Sequence, residues 1–420
     1  MEGFAAQTDL ETLNSRKVKP ARILIISNGH LCRNPRIVKE ATALGEAGHQ
    51  VTVLTVRNHA PSLRFDAALR ESASFAHQQI NMLDGPVAWL RRARVRLARD
   101  FARSRGPASI HALGPAGALL QAARKLPAEL TIVHNEIAHW VGTRLMADGR
   151  RVAADFEDWH SEDLLPADRA GRPLGLLRRI EHQLLHQAVY VTTTSHALSA
   201  TLHTAHGGRR PEVITNSFPL PPLPQRTGIG RQPPALFWFS QTTGPGRGLE
   251  SFLAAYALVA TPARLVLLGE VRGDYDRHLL SLLPESHRNR VNFLPLVPPE
   301  ELPGLIAQHE VGLALEQSSI RNRDLTITNK ILQYLGAGLA VAATPTTGQR
   351  EVLEHAPHAG IMLDKLADPV ATAAQLDDLL RNPTALVARQ AAARTLAEEK
   401  YCWEREAPRL VSLVRHALMT

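Results

Sequence analysis

Cysteine is almost missing from this 420-residue chain: Cys32 and Cys402 stand alone, near opposite ends. That excludes a disulfide framework and a thiolate-rich zinc site, and a reducing compartment fits best. No run approaches the roughly 18 uninterrupted apolar residues of a bilayer span. The opening stretch MEGFAAQTDLETLNSRKVKPAR has three acidic residues and no apolar core before its basic patch, so it does not read as a secretory signal. The expected location is cytoplasmic, with peripheral attachment to the inner face of the membrane left open. Aromatic residues make up only 5% of the chain. The most basic stretch, Trp89 to Arg105, holds just Trp89 and Phe101 among them and no recognition motif, which argues against nucleic acid as partner.

What is present is apolar enough to fold: 44% hydrophobic and 21% charged residues. At roughly 100–200 residues per domain, the length implies two or three domains. The formal net charge is +8, carried almost wholly by arginine because lysine occurs at seven positions. Such a balance concerns acidic partners (phosphates, nucleic acid or an anionic membrane) and not the fold.

Arg22 to Ser27 is a short β-branched run that reads as a buried strand. Asn34 and Pro35 then open a helix with Ile37, Val38, Ala41 and Leu44 on one face, ending at Gly48, and Gln50 to Thr55 is a second strand. Strand, helix, strand is the crossover unit of a doubly wound parallel sheet. Further strands are expected at Gln79 to Leu83, Leu130 to His134, Arg151 to Asp155, Ala188 to Thr193 and Glu212 to Thr215, with a helix over Leu174 to Gln187. Residues 216–234 are dense in proline and glycine and read as a linker. The same grammar then restarts: strands at Ala235 to Phe239, Arg264 to Leu268, Val291 to Leu294, Val311 to Leu315, Leu339 to Ala343 and Gly360 to Leu363. Helices are expected over Gly248 to Val259 and Asn329 to Gly336. The expected fold class is α/β, with two Rossmann-like halves facing a cleft. The expected division is a flexible tail over 1–20, an N-terminal domain over 21–215, the linker, a C-terminal domain over 235–396, and a terminal segment over 397–420 with its helix at Ala407 to Leu418.

The first strand-to-helix loop, Ser27 to Leu31, lacks G-x-G-x-x-G, which disfavours hydride transfer. Asn28 and Gly29 either let the backbone approach a ligand or form a tight turn. In the second half, Ser240 to Gly248 combines hydroxyls, three glycines and Arg247 before a helix start, where free N–H groups favour an anion. Lys330 stands in the first turn of another helix, opposing its dipole unless an anion lies nearby. The segment Asp155 to Asp163 packs five carboxylates into nine residues around Trp159 and His160. It is either a source of a general base or a solvated acidic loop, and Asp155, Glu157 and Asp158 also admit a hard-cation reading. His134, Glu136 and His139 follow a strand and either line the cleft or pack in the core. Trp89 to Arg105 has seven arginines around the apolar positions Leu90, Ala93, Leu97 and Phe101. This pattern suits either an interfacial helix on an anionic leaflet or a helix packed on its own sheet.

Together the stretches RILIISNGHLCRNPRIVKEATALGEAGHQVTVLT, VTTTSHAL, FWFSQTTGPGRGLESF, LVLLGE and TNKILQYLGAGLAVAAT resemble the retaining glycosyltransferases of family 4, or group 1, which have the GT-B fold. The likeness runs from about Arg22 to Leu413. It implies a sugar moved from a nucleotide-diphosphate donor to a hydroxyl of a glycan or lipid-linked acceptor, with retention, and with no cofactor or catalytic metal. The resemblance places Ser240, Arg247 and Lys330 around the donor diphosphate and Leu296 near the base. Gln333 and Leu325 stand where the family has the two glutamates of its E-x7-E motif, so Gln333 falls to the ribose. Glu157 occupies a position usually held by histidine, and Glu157 with Asp158 is the expected catalytic pair. Asn28, Gly29, His134 and His160 fall to the acceptor side, and the last helix is expected to cross back to the N-terminal domain. Two other readings stay open: a nucleotide-sugar epimerase on the same fold, and a degenerate membrane-associated scaffold, suggested by the missing glutamates.

Overall fold

The computed structural model describes residues 19–105, 109–165, 169, 171–223 and 233–420. Two parallel sheets organise it. The first is built from β1 (Arg22–Ile26), α1 (Pro35–Glu46), β2 (Gln50–Arg57), β3 (Ala76–Asn81), α2 (Gly85–Arg105), β4 (Leu130–His134), α3 (Asn135–Ala147), β5 (Val152–Phe156), α4 (Leu174–Gln187), β6 (Val191–Thr193), α5 (His196–His206) and β7 (Glu212–Val213). Its strand order is β3-β2-β1-β4-β5-β6-β7. β4 and β5 are buried along their full length, as strands of a sheet covered on both faces must be.

The second sheet comes from β8 (Ala235–Thr243), α6 (Leu249–Tyr256), β9 (Arg264–Val271), β10 (Val291–Leu294), β11 (Val311–Ala314), α7 (Arg321–Leu325), α8 (Asn329–Gly336), β12 (Ala340–Ala343), α9 (Thr347–Leu353) and β13 (Gly360–Met362). Its order is β10-β9-β8-β11-β12-β13. α10 (Pro383–Glu399) packs Ala393, Leu396 and Ala397 into this half, whereas α11 (Trp403–Met419) sets Val414 and Ala417 against Ile37 and Ala41 of α1. In both sheets the order in which strands are added reverses beside the first strand, between β1 and β4 and between β8 and β11. Ligands of open α/β sheets bind at such points, outside the carboxyl ends of the strands.

Several boundaries differ from the sequence-based expectation for physical reasons. β3 starts three residues and ends two residues earlier than expected, because on this edge strand only Ile80 is buried and the apolar run Ile80, Met82, Leu83 misplaces it. β8 runs on to Thr243 through an irregularity after Phe239, so Ser240 belongs to the strand and the loop shrinks to residues 244–248. α11 starts at Trp403 and contains Pro408, which near a helix start removes few backbone bonds. Of the apolar positions on α2 that suited either an interfacial face or packing on the sheet, Leu90, Leu97 and Phe101 are 60%, 70% and 54% exposed, so they do not pack on the sheet. The helix packs instead through Ala88, Val95 and Ala102, seven residues apart. Among the described residues, no helix is long and apolar enough to cross a membrane.

Candidate active site

The carboxyl end of β8 leads through Gly248, at φ 76°, into α6. A Cβ there would come within 2.7 Å of the Leu315 carbonyl oxygen, so only glycine brings this loop against the end of β11. The close approach carries half-buried Arg247 to the switch point. Burial first, and then the charge of Arg323 on α7, push its guanidinium below the usual value, while Glu316 opposes and Arg272 adds to the effect. Lys330, in the first turn of α8, donates to Glu316 Oε1 at 2.5 Å. Burial works against an ionised Glu316, but Lys330, Arg323 and Arg247 hold its carboxyl below the ordinary range. Four cations therefore gather at one switch point around a single carboxylate already claimed by Lys330. Gln333 follows one turn later on the same face as Lys330, half-exposed.

The N-terminal switch point is closed from within. Arg36 of α1 is 3% exposed and binds both oxygens of Asp155, at 3.0 and 2.6 Å, as well as the Ile214 carbonyl. Burial raises Asp155, yet Arg36 and then His134 bring it below the usual carboxylate value. His134 Nε2 meets Glu40 at 2.6 Å; burial disfavours the imidazolium, but Glu40 and Asp155 raise the net pKa. Lys39 donates to Asn216 Oδ1 at 2.9 Å and lies 4.1 Å from the Phe218 ring. Burial and the charge of Arg36 push its ammonium down to about 7. Ser27 donates to Asn135 Oδ1 at 2.6 Å, and Asn135 sits at φ 69° where α3 leaves β4.

The acidic segment after β5 meets this network at one end and α7 at the other. Asn216 donates to Glu157 Oε1 at 2.8 Å, and Asn322 donates to Asp158 Oδ1 at 2.7 Å and accepts from the Trp159 backbone N–H. Burial first, then the charge of Asp158, push the Glu157 carboxyl up to about 7. Burial, then Asp163, raise Asp158 as well. Arg321 stacks over the Trp159 ring at 4.7 Å, and Leu325 joins the hydrophobic core of the N-terminal half while its carbonyl accepts from Ser195. Consecutive residues of one short helix thus touch both halves: Asn322 holds Asp158, and Arg323 stands beside Arg247.

Residues 233–382 match the family model described as "Glycosyl transferases group 1". Sucrose-phosphate synthase from Thermosynechococcus elongatus superposes with TM-score 0.68 at 17% identity, over 94% of this chain and 98% of its own. HepE of Anabaena, solved in complex with UDP-glucose, gives 0.66 at 16%, covering 94% and 99%. WaaG, described as a glycosyltransferase involved in lipopolysaccharide biosynthesis, gives 0.59 at 13%, covering 92% and 98%. The fold is GT-B. No curated protein sequence matches the chain.

Within this GT-B frame the expected site residues fall into three groups. Arg247 and Lys330 come together, with Gln333 on the same helix face. Glu157 and Asp158 come together across α7 from them. The remaining residues lie apart or inward. Ser240 lies within β8, four residues before the 244–248 loop, and Leu296 is exposed beyond β10, two strands from β8. His134 is fully buried behind Glu40, so it does not line the cleft. His160 is 7% exposed and faces Glu136 at 3.3 Å. His139 Nε2 donates to the Asp155 carbonyl at 2.9 Å; burial and then His160 push its pKa down to about 3, so it stays neutral. Asn28 and Gly29 stay at the end of β1 beside Ser27. Glu316 is committed to Lys330. Among the described residues, no group of three or more His, Cys, Asp or Glu is arranged to hold a metal ion.

Arg323, Arg272 and Asn322 escaped the sequence reading. Arg323 and Asn322 lie on a five-residue helix inside what reads as loop, and the faint signal is their place just ahead of Thr328-Asn329-Lys330. Glu181 also escaped: it accepts from the Ser161 backbone N–H at 2.9 Å and from the Ser161 hydroxyl at 2.7 Å, fixing the turn that follows Asp158.

Proposed function

We propose that this protein is a retaining glycosyltransferase that moves a sugar from a nucleotide diphosphate to a hydroxyl of a glycan or lipid-linked acceptor. The observation that carries this reading is the span of α7, which sets the raised carboxylates Glu157 and Asp158 and the cation cluster of Arg247, Arg272, Arg323 and Lys330 on opposite sides of one cleft. In the transfer, the acceptor oxygen bonds the anomeric carbon as the bond from that carbon to the diphosphate oxygen breaks. Arg247, Arg272, Arg323 and Lys330 meet the charge that develops on the diphosphate, as a metal-independent reaction requires. Glu157 takes the acceptor hydroxyl proton, a role suited to a carboxyl poised near neutrality. Gln333 hydrogen-bonds the donor ribose without supplying charge. The exposed Trp89, Leu90, Leu97 and Phe101 among arginines support seating α2 on an anionic leaflet, at the cytoplasmic face.

A thermal-shift screen over nucleotide-sugars tests the donor site, starting from UDP-glucose because HepE was solved with it. Wild type gains several degrees, and Arg247→Ala and Arg323→Ala lose most of that gain. A screen in which no nucleotide stabilises the wild type, or in which all three proteins respond alike, rejects the assignment. Release of nucleoside diphosphate only when an acceptor is present separates transfer from epimerisation.

A further inference from the structure

Beneath α2 lies a cavity of about 950 Å³, bounded by Asn28, Asn58 and Met82 at the carboxyl ends of β1, β2 and β3. Four arginines line it at helical spacing: Arg92, Arg96, Arg99 and Arg103. Asp100 is the one carboxylate in that lining. Among the described residues, none of these arginines forms an ion pair. Arg92 donates to the Met82 carbonyl at 2.7 Å and Arg99 to the Ala112 carbonyl at 2.7 Å, so backbone oxygens hold two of them in place. Among the described residues, the side chains of Arg96 and Arg103 make no hydrogen bond. Four guanidinium groups on a concave wall with one carboxylate among them focus a positive field on whatever enters, and their forks match phosphate oxygens. Trp89 and Leu97 complete the lining and are 61% and 70% exposed, so the same cavity has an apolar, open rim.

We infer that this cavity receives the diphosphate of an amphiphilic acceptor. The phosphates lie against Arg96, Arg99 and Arg103, the apolar chain leaves past Trp89 and Leu97, and the sugar end points toward Asn28 and the β1/β4 switch point. The inference rests on reading the N-terminal half as the acceptor side, and it adds the chemical class of that acceptor: a lipid-linked glycosyl diphosphate and not a neutral glycan.

Calorimetry on the full chain, first saturated with UDP so that the donor site is filled, tests it with geranyl diphosphate as the probe. Inorganic diphosphate and octyl glucoside below its micellar concentration serve as the phosphate-only and apolar-only arms. Geranyl diphosphate is expected to bind wild type roughly tenfold or more tightly than the Arg96→Ala/Arg103→Ala double variant, the loss of at least one charge-assisted contact. Inorganic diphosphate should bind more weakly than geranyl diphosphate yet show the same dependence on the arginines, and octyl glucoside should not depend on them. Equal affinity of wild type and double variant for geranyl diphosphate overturns the cavity assignment. Inorganic diphosphate binding as tightly as geranyl diphosphate overturns the amphiphilic acceptor. UDP affinity is the control. Unchanged UDP binding in the double variant shows an intact fold, and a wild type that fails to bind UDP overturns the donor reading independently of α2.

Discussion

The two sheets present the same switch-point geometry and use charge in opposite ways. At the β1/β4 point, Arg36 pairs with Asp155 and His134 with Glu40 inside the protein, and Lys39 donates to Asn216. At the β8/β11 point, among the described residues, Arg247, Arg272 and Arg323 form no ion pair, since Glu316 is taken by Lys330. A buried charge that is already paired is structural, because breaking it leaves its partner stranded in a medium that penalises ions. A cation cluster left unpaired at the end of a sheet is electrostatically unfinished, and an anion completes it. The difference separates residues that hold the fold from residues that wait for a ligand, although both sets are equally charged in the sequence.

That comparison is most easily broken at Arg36. Arg36→Ala leaves Asp155 buried without its bidentate partner and should cost about 3–5 kcal/mol of stability in a denaturant titration. A loss under 1 kcal/mol would mean the first switch point is not the closed, structural one. On the other side, Arg247→Ala should reduce kcat/KM about 10²–10³-fold while leaving the ligand-free unfolding midpoint nearly unchanged. Lys330→Ala should do both kinds of damage, because it strands the buried Glu316 as well; the pair of variants therefore separates binding from folding at one site.

Glu157→Gln sharpens the boundary between the two regions. The wild-type carboxyl titrates near 7 in the folded state against about 4.5 when unfolded, so the folded protein holds the proton more tightly. Stability from this group is full below pH 4.5 and is lost as pH rises through 7. The glutamine variant should therefore match wild type near pH 4 and exceed it above pH 7 by about 1–3 kcal/mol, while transfer activity collapses. A parallel pH profile for both proteins would remove Glu157 from the proton-transfer role. The smallest effect is expected for Asn322→Ala, about 1–2 kcal/mol from an unsatisfied Asp158, read as a lower unfolding midpoint with donor affinity largely retained.

The sequence made the two sheets legible because central strands of parallel sheets are uninterrupted apolar runs. Leu174–Gln187 and Asn329–Gly336 could be read to the residue, since apolar spacing and end signals agreed there. The edge strand β3 was misplaced because one buried side chain sets no period. Arg247 and Lys330 stood out as cations at helix starts. Arg36, Lys39 and Glu40 did not, because charged residues beside an apolar stripe look like a solvated face until the strand ends they meet are known. Asn322 depends on a contact with Asp158 more than 150 residues away, and Arg323 on its neighbour Arg247 in another loop, which no local pattern encodes.

Leu325 gives the substitution in the E-x7-E motif a second meaning. It belongs by chain order to the second sheet and by packing to the core of the first. Fully burying a leucine is worth about 1.5–3 kcal/mol, so melting either half uncovers a core residue of the other. Heating should therefore produce one calorimetric peak for the whole chain, with the two halves losing their structure together.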